Sequence, residues 1–187
     1  QFMDGFAVSE EYSTFGANFV SHNTARITAE AERHFTLNKE KKIVATIKGI
    51  GGGISKPDVD DFFHFFGGGL PGLKGYTFYE ESLTGPYYFV GTAALRLPLF
   101  LEQNYTWAQF NMQNLSLGGI FQFGSAIQNS LSEIIEDDHY KLSAGLECRL
   151  HGFSFYSYPS AISYEYHQPI SDLDEQGKHY FTLLFDY

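Results

Sequence analysis

The sequence of 187 residues lacks several features that would define common protein classes. Its single cysteine, Cys148, excludes an internal disulfide framework and a cysteine-based metal site. Lys and Arg number 12 against 22 Asp and Glu, and the resulting net charge of -10 argues against a nucleic-acid partner. No run of about 18 apolar residues is present, which excludes a transmembrane helix. No basic-then-apolar leader opens the chain at Gln1, so we expect a removed leader or a piece of a longer protein.

Aromatic residues are abundant, by contrast, at 18% of the chain with 13 Tyr and 19 Phe. Such residues favour β-strands, and they also line the two water interfaces of membrane β-barrels. The mean hydropathy of -0.21 is compatible with a barrel, because barrel strands alternate apolar and polar residues. The composition therefore favours an all-β protein.

Eight segments alternate with a period of two, as strands do. They are residues 12–20, 24–37, 41–53, 87–99, 115–125, 140–150, 161–168 and 178–187. The alternation over 24–37 is longer than the ~5–6 residues of an ordinary soluble strand. A soluble sandwich or lipocalin-like barrel also alternates, but apolar faces of Ala, Leu, Ile and Phe opposite small and charged residues favour an antiparallel transmembrane β-barrel.

The connections between these segments differ in length in the way that barrel connections do. Residues 38–40 form a short connection, whereas 55–86, 126–138 and 169–177 are long. Outer-membrane barrels have short periplasmic turns and longer extracellular loops. The connection 100–114 breaks this rule, and we expect its aromatic residues to rest on the membrane interface: Phe100, Tyr105, Trp107 and Phe110.

The long loop, residues 55–86, is predicted to have no strand or helix of its own. Loops of about 30 residues are uncommon unless they are functional or disordered. This one holds four phenylalanines within 62–66, followed by Gly67, Gly68 and Gly69. We expect it to fold into a barrel lumen, because an exposed apolar patch of that size is costly. An eight-stranded barrel is already filled by its side chains, so the complete barrel should have more strands.

Several motifs in this region resemble one family. Residues 60–68, followed by Leu73, Lys74, Gly75 and Tyr76, are similar to the inward-folded loop of the BamA/FhaC-type superfamily of outer-membrane assembly and polypeptide-transport proteins. In that family an aromatic run and a Gly pair, here Gly67 and Gly68, precede a Val-Arg-Gly-Phe/Tyr signature. Residues 94–99 and 121–124 resemble the two family strands that follow. The chain end is similar to the C-terminal signal of outer-membrane proteins, carried here by Phe181, Leu183, Phe185 and Tyr187.

The resemblance implies that residues 1–187 form the C-terminal half, strands nine to sixteen, of a sixteen-stranded barrel in the outer membrane of a Gram-negative bacterium. It implies insertion of outer-membrane proteins or polypeptide export, with no enzyme activity, cofactor or metal. The implied partners are the lipid bilayer, lipopolysaccharide, unfolded polypeptides, and upstream strands or a periplasmic domain. Two alternatives stay open: a barrel that anchors an upstream domain, and a free-standing small porin-like barrel.

Two positions depart from the family pattern. Lys74 stands where the family has Arg, and Gln122 stands where it has an Asp thought to meet that Arg inside the barrel. Because Lys lacks the planar fork of Arg and Gln122 is neutral, the family pairing cannot form in the same way. We expect Lys74 to pair with Glu147 instead, with Gln122 and Arg96 as further lumen-facing neighbours of the loop. The alternative is that Lys74 reaches water and pairs with nothing.

Overall fold

The computed structural model describes residues 2–8, 19–56, 61–127, 140–155, 158–172 and 174–185, and within them it is all β with no α-helix. Eleven strands lie along these residues in chain order. They are β1 Phe2–Val8, β2 Phe19–Asn38, β3 Ile43–Ile54, β4 Phe65–Phe66, β5 Thr84–Gly85, β6 Tyr87–Phe100, β7 Tyr105–Trp107, β8 Phe110–Ile127, β9 Lys141–Ser154, β10 Tyr158–Pro169 and β11 Lys178–Phe185. Two short 3-10 helices, Asp61–Phe63 and Glu81–Leu83, lie in the long loop.

Eight strands form one antiparallel sheet in the order β1-β2-β3-β6-β8-β9-β10-β11. β7 pairs with the start of β8, and β4 and β5 form a separate two-stranded ribbon. Neighbours in the main sheet are thus neighbours in the chain, once the ribbon and β7 are set aside. The predicted all-β fold with eight antiparallel strands is confirmed. Among the described residues no pairing joins β1 to β11.

The strand bounds differ from the predicted ones mainly at the ends. Residues 12–18 of the predicted strand 12–20 lie outside the described residues, and its last two belong to β2; β1, Phe2–Val8, was not predicted. The predicted strand 115–125 extends to Phe110–Ile127, and 140–150 to Lys141–Ser154. The added residues, 110–114, 126–127 and 151–154, do not continue the alternation of the predicted strands, whereas the hydrogen-bonded ladder between β8 and β9 continues through 110–114 and 151–154 with a register shift between Met112 and Asn114.

The connection 100–114, which broke the expected pattern of lengths, is largely a hairpin. β7 pairs with Phe110–Met112, so only Ala108 and Gln109 form the turn between them. Ala108 adopts a φ of 52°, in the left-handed region that such tight turns use. This connection therefore extends the sheet beyond Phe100 rather than forming a long irregular loop.

The two faces of the sheet differ in burial, and the difference is the reverse of that in a water-soluble protein. The face that carries polar side chains, the polar face, includes deeply buried groups: Thr46, Gln122, Ser143, Glu147, Ser163, Glu165 and His167. The opposite face, the apolar face, exposes large hydrophobic side chains: Ile27, Leu37, Ile47, Leu95, Leu97, Leu99, Leu117, Phe121, Leu146, Phe181, Leu183 and Phe185. A sheet in a water-soluble sandwich would have the opposite arrangement.

The long loop covers the polar face and has more structure than the sequence predicted. Its two 3-10 helices and the β4–β5 ribbon replace the expected irregular backbone. Leu73, Tyr76 and Leu83 form a buried cluster with Val90 of β6. Burial of these side chains, each worth roughly 1.5–3 kcal/mol, stabilises the loop against the strands.

Candidate functional site: the loop anchor

Three consecutive residues, Lys74, Gly75 and Tyr76, form what we call the loop anchor. They lie in the predicted signature, and backbone hydrogen bonds fix the segment before them. The Leu73 N–H donates to the Gly67 carbonyl at 2.7 Å, and the Gly67 N–H donates to the Leu83 carbonyl at 2.7 Å. Gly68 forms a parallel bridge with Leu73. The predicted glycines Gly67 and Gly68 therefore position the anchor through their backbone.

The loop anchor contacts three different strands through hydrogen bonds. The Lys74 N–H donates to Gln122 Oε1 of β8 at 3.0 Å, and the Gly75 N–H donates to the Tyr180 hydroxyl of β11 at 2.9 Å. The Tyr76 hydroxyl donates to the Leu142 carbonyl of β9 at 2.9 Å. Gly75 has a φ of 98°, a conformation that a residue with a side chain rarely adopts.

A fourth strand is held by the Lys74 side chain. Its Nζ forms a salt bridge with Glu165 Oε2 of β10, and the side chains are 18% and 4% exposed. His167, which is fully buried, places its Nε2 3.0 Å from the same oxygen. Removing one partner of a buried pair leaves an uncompensated charge, which typically costs about 3–5 kcal/mol. The salt bridge therefore fixes the loop anchor to the sheet as long as both charges remain.

The expected pairing of Lys74 with Glu147 is wrong, and so is the alternative of an unpaired Lys74. Glu147 is 2% exposed and binds two arginines. Arg96 donates from Nε to its Oε2 at 2.7 Å, and Arg149 Nη2 lies against its Oε1. Both carboxylate oxygens are thus occupied by cations, and Lys74 pairs with Glu165, the residue directly opposite Glu147 on β10.

A glycine allows Arg96 and Glu147 to meet across a strand. Arg96 of β6, Gly118 of β8 and Glu147 of β9 lie in one cross-strand row. A Cβ at Gly118 would lie 3.1 Å from Glu147 Oε2 and 3.4 Å from Arg96 Cγ. Because β8 presents no side chain there, groups two strands apart come within hydrogen-bond distance.

Gln122 keeps a role in the anchor despite its lack of charge. Its Oε1 accepts from the Lys74 backbone, and its Nε2 donates to Thr92 Oγ1 at 3.0 Å. The amide thus uses one donor and one acceptor, which an Asp side chain could not supply together while ionised. Lys74 and Gln122, the two residues that differ from the resembled motifs, therefore contact each other through the Lys74 backbone and not through its side chain.

Burial also changes the ionisation of the Tyr76 phenol. The side chain is 1% exposed, and its burial raises the pKa of Tyr76 to about 12. The carboxylates of Asp172 and Glu175 act in the same direction, because they disfavour a nearby phenolate. Tyr76 therefore remains a hydrogen-bond donor to Leu142 well above the ordinary range of a tyrosine.

Three residues of the anchor site were not predicted from the sequence: Glu165, His167 and Tyr180. Glu165 and His167 share the polar parity of their strand with Ser163, so the alternation itself placed them on this face. Their contact with Lys74 depends on strand register, which the alternation does not reveal. Phe181, Leu183 and Phe185, expected as a C-terminal signal, lie exposed on the apolar face, and Tyr187 lies outside the described residues.

Comparison with known proteins gave no match to a family model, to a curated protein or to a solved structure. None of the helical segments in the described residues has the length and hydropathy needed to cross a membrane. Within the same residues, no group of three or more His, Cys, Asp or Glu side chains could hold a metal ion. The family resemblance of the loop therefore stays a prediction from its sequence motifs.

Proposed function

We propose that this chain is part of an outer-membrane β-barrel that inserts proteins into the outer membrane or exports polypeptides across it, without enzyme chemistry. The observation that carries the proposal is the reversed polarity of the sheet. Large apolar side chains are exposed on one face, while charged and hydroxyl side chains are buried on the other. A lipid-facing surface with a polar interior has this arrangement.

The long loop supports the choice of family within the barrel class. It lies over the polar face, and the loop anchor contacts β8, β9, β10 and β11. In a closed barrel the polar face would line the lumen, and the loop would partly fill it. A polypeptide could pass or begin to fold there only if the loop moved, so the anchor would control access.

The sheet edges support a barrel larger than the strands described here. In the described pairings Arg26–Asn38 of β2 bonds only to β3, and β11 bonds only to β10. An unpaired edge is a template for another strand. We propose that upstream strands close a sixteen-stranded barrel and that the β11 edge can accept an incoming strand by β-augmentation.

An anchoring role for the barrel is the second candidate. It is favoured by the number of contacts that hold the loop, because a permanently filled lumen suits an anchor better than a transporter. The two functions differ in their requirement for loop movement. Covalent fixation of the loop would stop assembly or export and would leave an anchor unaffected.

The test is a double-cysteine variant that joins the loop to the wall in the intact protein. Cys148 is first replaced by Ser, and Lys74 and Glu165, whose side-chain ends are in contact, are then both replaced by Cys and joined by a thiol-specific linker that contains a reducible disulfide and has the length of the two lost side chains. We expect cross-linking in native membranes to block appearance of outer-membrane or secreted proteins, and reduction of the linker to restore it. The single variants, which cannot cross-link, are the controls. Unchanged activity with a fully formed cross-link would exclude the transport function in favour of the anchor, and recovery of the protein outside the outer membrane would exclude both.

A further inference from the structure

An open cavity of about 330 Å³ lies over the polar face beside the tip of the long loop. Leu70, Pro71 and Gly72 form its loop side, and strands from β2 to β10 form the remainder. Four cations and two carboxylates line it: Lys48, Lys74, Arg96, Arg149, Glu32 and Glu165. A cavity with convergent charged groups of this kind is a candidate binding site.

The charges around the cavity are unevenly paired. Lys48 binds Glu30 at 2.6 Å, and Lys74 binds Glu165, so each of these lysines has its own carboxylate. Arg96 and Arg149, by contrast, share Glu147. One positive charge is therefore in excess at the arginine pair.

The remaining lining carboxylate, Glu32, lies on β2, four strand spacings from Arg149 in the sheet order. Among the described ion pairs Glu32 contacts His34, at 3.7 Å, and neither arginine.

The arginine pair also has unused hydrogen-bond donors. A guanidinium has five N–H donors in a planar fork. Arg96 donates to Glu147 and to Thr46 Oγ1 at 3.3 Å. Arg149 lies against Glu147 through Nη2, while its buried Nε has no partner in the described part of the chain. Glu147 is almost fully buried beneath both side chains, and it holds the two guanidinium groups beside the same cavity.

We propose that this cavity binds an oxyanion, a carboxylate or a phosphate, between Arg96 and Arg149. Arginine forks match the geometry of such groups and bind them through two parallel hydrogen bonds. Glu147 acts as a positioning residue that orients both arginines without contacting the ligand. The inference goes beyond the proposed function, because it requires the cavity and not a membrane, and it can survive the failure of that proposal.

Two sources could supply the oxyanion: a free phosphate group or an acidic side chain of a polypeptide. The experiment measures calorimetric binding to the purified full chain in a neutral detergent. Its probes are inorganic phosphate, a short Glu-containing peptide, and the matching peptide with Gln in place of Glu. Binding of phosphate alone assigns a small anion, tighter binding of the Glu peptide assigns an acidic side chain, and both results support the site. Absence of binding to phosphate and to the Glu peptide overturns it.

Variants then test whether the arginines are responsible. We expect Arg149→Gln to weaken binding about ten-fold or more, and Arg149→Lys, which keeps the charge without the fork, to weaken it less. Arg33→Gln is the matched control, because Arg33 lies on β2 over the Phe35 ring and outside the cavity. Equal binding by Arg149→Gln and the unmodified protein would overturn the proposal. If Arg149→Gln fails to fold, the same comparison is made with Arg149→Lys, and unchanged binding overturns it equally.

Discussion

Leu146 and Glu147 are consecutive residues of β9, and their surroundings are opposite. The Leu146 side chain is 69% exposed on the apolar face, whereas Glu147 is 2% exposed on the polar face. In water the first would be buried and the second exposed, because apolar burial is favourable and burial of a carboxylate is costly. The reversal is tolerated at Glu147 and Glu165 because both of these buried carboxylates contact cationic side chains. On the apolar face, the exposed hydrophobic side chains favour contact with an apolar surface over contact with water.

The greatest loss of stability is expected at the loop anchor, because a buried salt bridge joins it to the polar face. We expect Glu165→Gln to lower the free energy of unfolding by about 3–5 kcal/mol, since it leaves Lys74 buried without its carboxylate. Denaturant unfolding of the intact protein measures the effect, and protease cleavage within the loop reports loss of the anchor.

The matched control for Glu165→Gln is Glu102→Gln, the same substitution in an exposed pair. Glu102 binds Lys42 at 3.3 Å, with side chains 84% and 55% exposed. An exposed pair contributes about 0–1 kcal/mol. Equal effects of the two substitutions would show that the polar face is not a buried charged interior.

The environment of the apolar face can be tested by introducing a charged side chain at Leu146. If this face contacts lipid near the bilayer centre, Leu146→Lys should destabilise the folded protein by about 2–4 kcal/mol. Leu146→Ala is the control, since it removes the side chain without adding a charge. Folding into lipid vesicles is measured for both variants. A Lys variant as stable as the Ala variant would place the apolar face in water, where surface substitutions usually change stability by less than about 0.5 kcal/mol.

The contrast between Leu146 and Glu147 could be predicted from the sequence only in part. Alternation along a strand places Leu146 and Glu147 on opposite faces, and that depends only on a period of two. Which of the two faces is buried depends on what packs against the whole sheet, and the alternation within one strand does not reveal that. The motif at Leu73–Tyr76 likewise predicted a loop that folds inward, and the structure places those residues against the sheet.

The sequence alone could not identify the salt-bridge partner of Lys74, and the reason is physical. Lys74 and Glu165 are 91 residues apart, and their contact depends on the register of every strand between them. Glu147 and Glu165 have the same parity and face each other across β9 and β10, so alternation alone could not choose between them. Arg149, two residues from Glu147 on the same face, decides the choice by occupying that carboxylate.

A smaller loss of stability is expected at Gly118, which lies between Arg96 and Glu147 on the polar face. Gly118→Ala places a Cβ 3.1 Å from Glu147 Oε2, and we expect a loss of about 1–3 kcal/mol from overpacking. The adjacent Gly119 is an internal control on the apolar face, because a Cβ there meets nothing within 4 Å. Gly119→Ala should stay within about 0.5 kcal/mol. Thermal unfolding compares the pair, and equal losses would mean that the Arg96–Glu147 contact does not depend on the missing side chain.

The Tyr76 hydroxyl group donates one hydrogen bond beneath the loop, and its removal should change stability least. Tyr76→Phe removes the donor to the Leu142 carbonyl and should cost about 1 kcal/mol near neutral pH. Tyr79→Phe, at a tyrosine that is 76% exposed, is the control and should be neutral. Because the pKa of Tyr76 is raised from 10 to about 12, its contribution is fully present below pH 10 and is lost as the pH rises toward 12. The difference in unfolding free energy between the unmodified protein and Tyr76→Phe should therefore shrink over that interval, and a difference that stays constant would mean that the phenol is not sequestered beneath the loop.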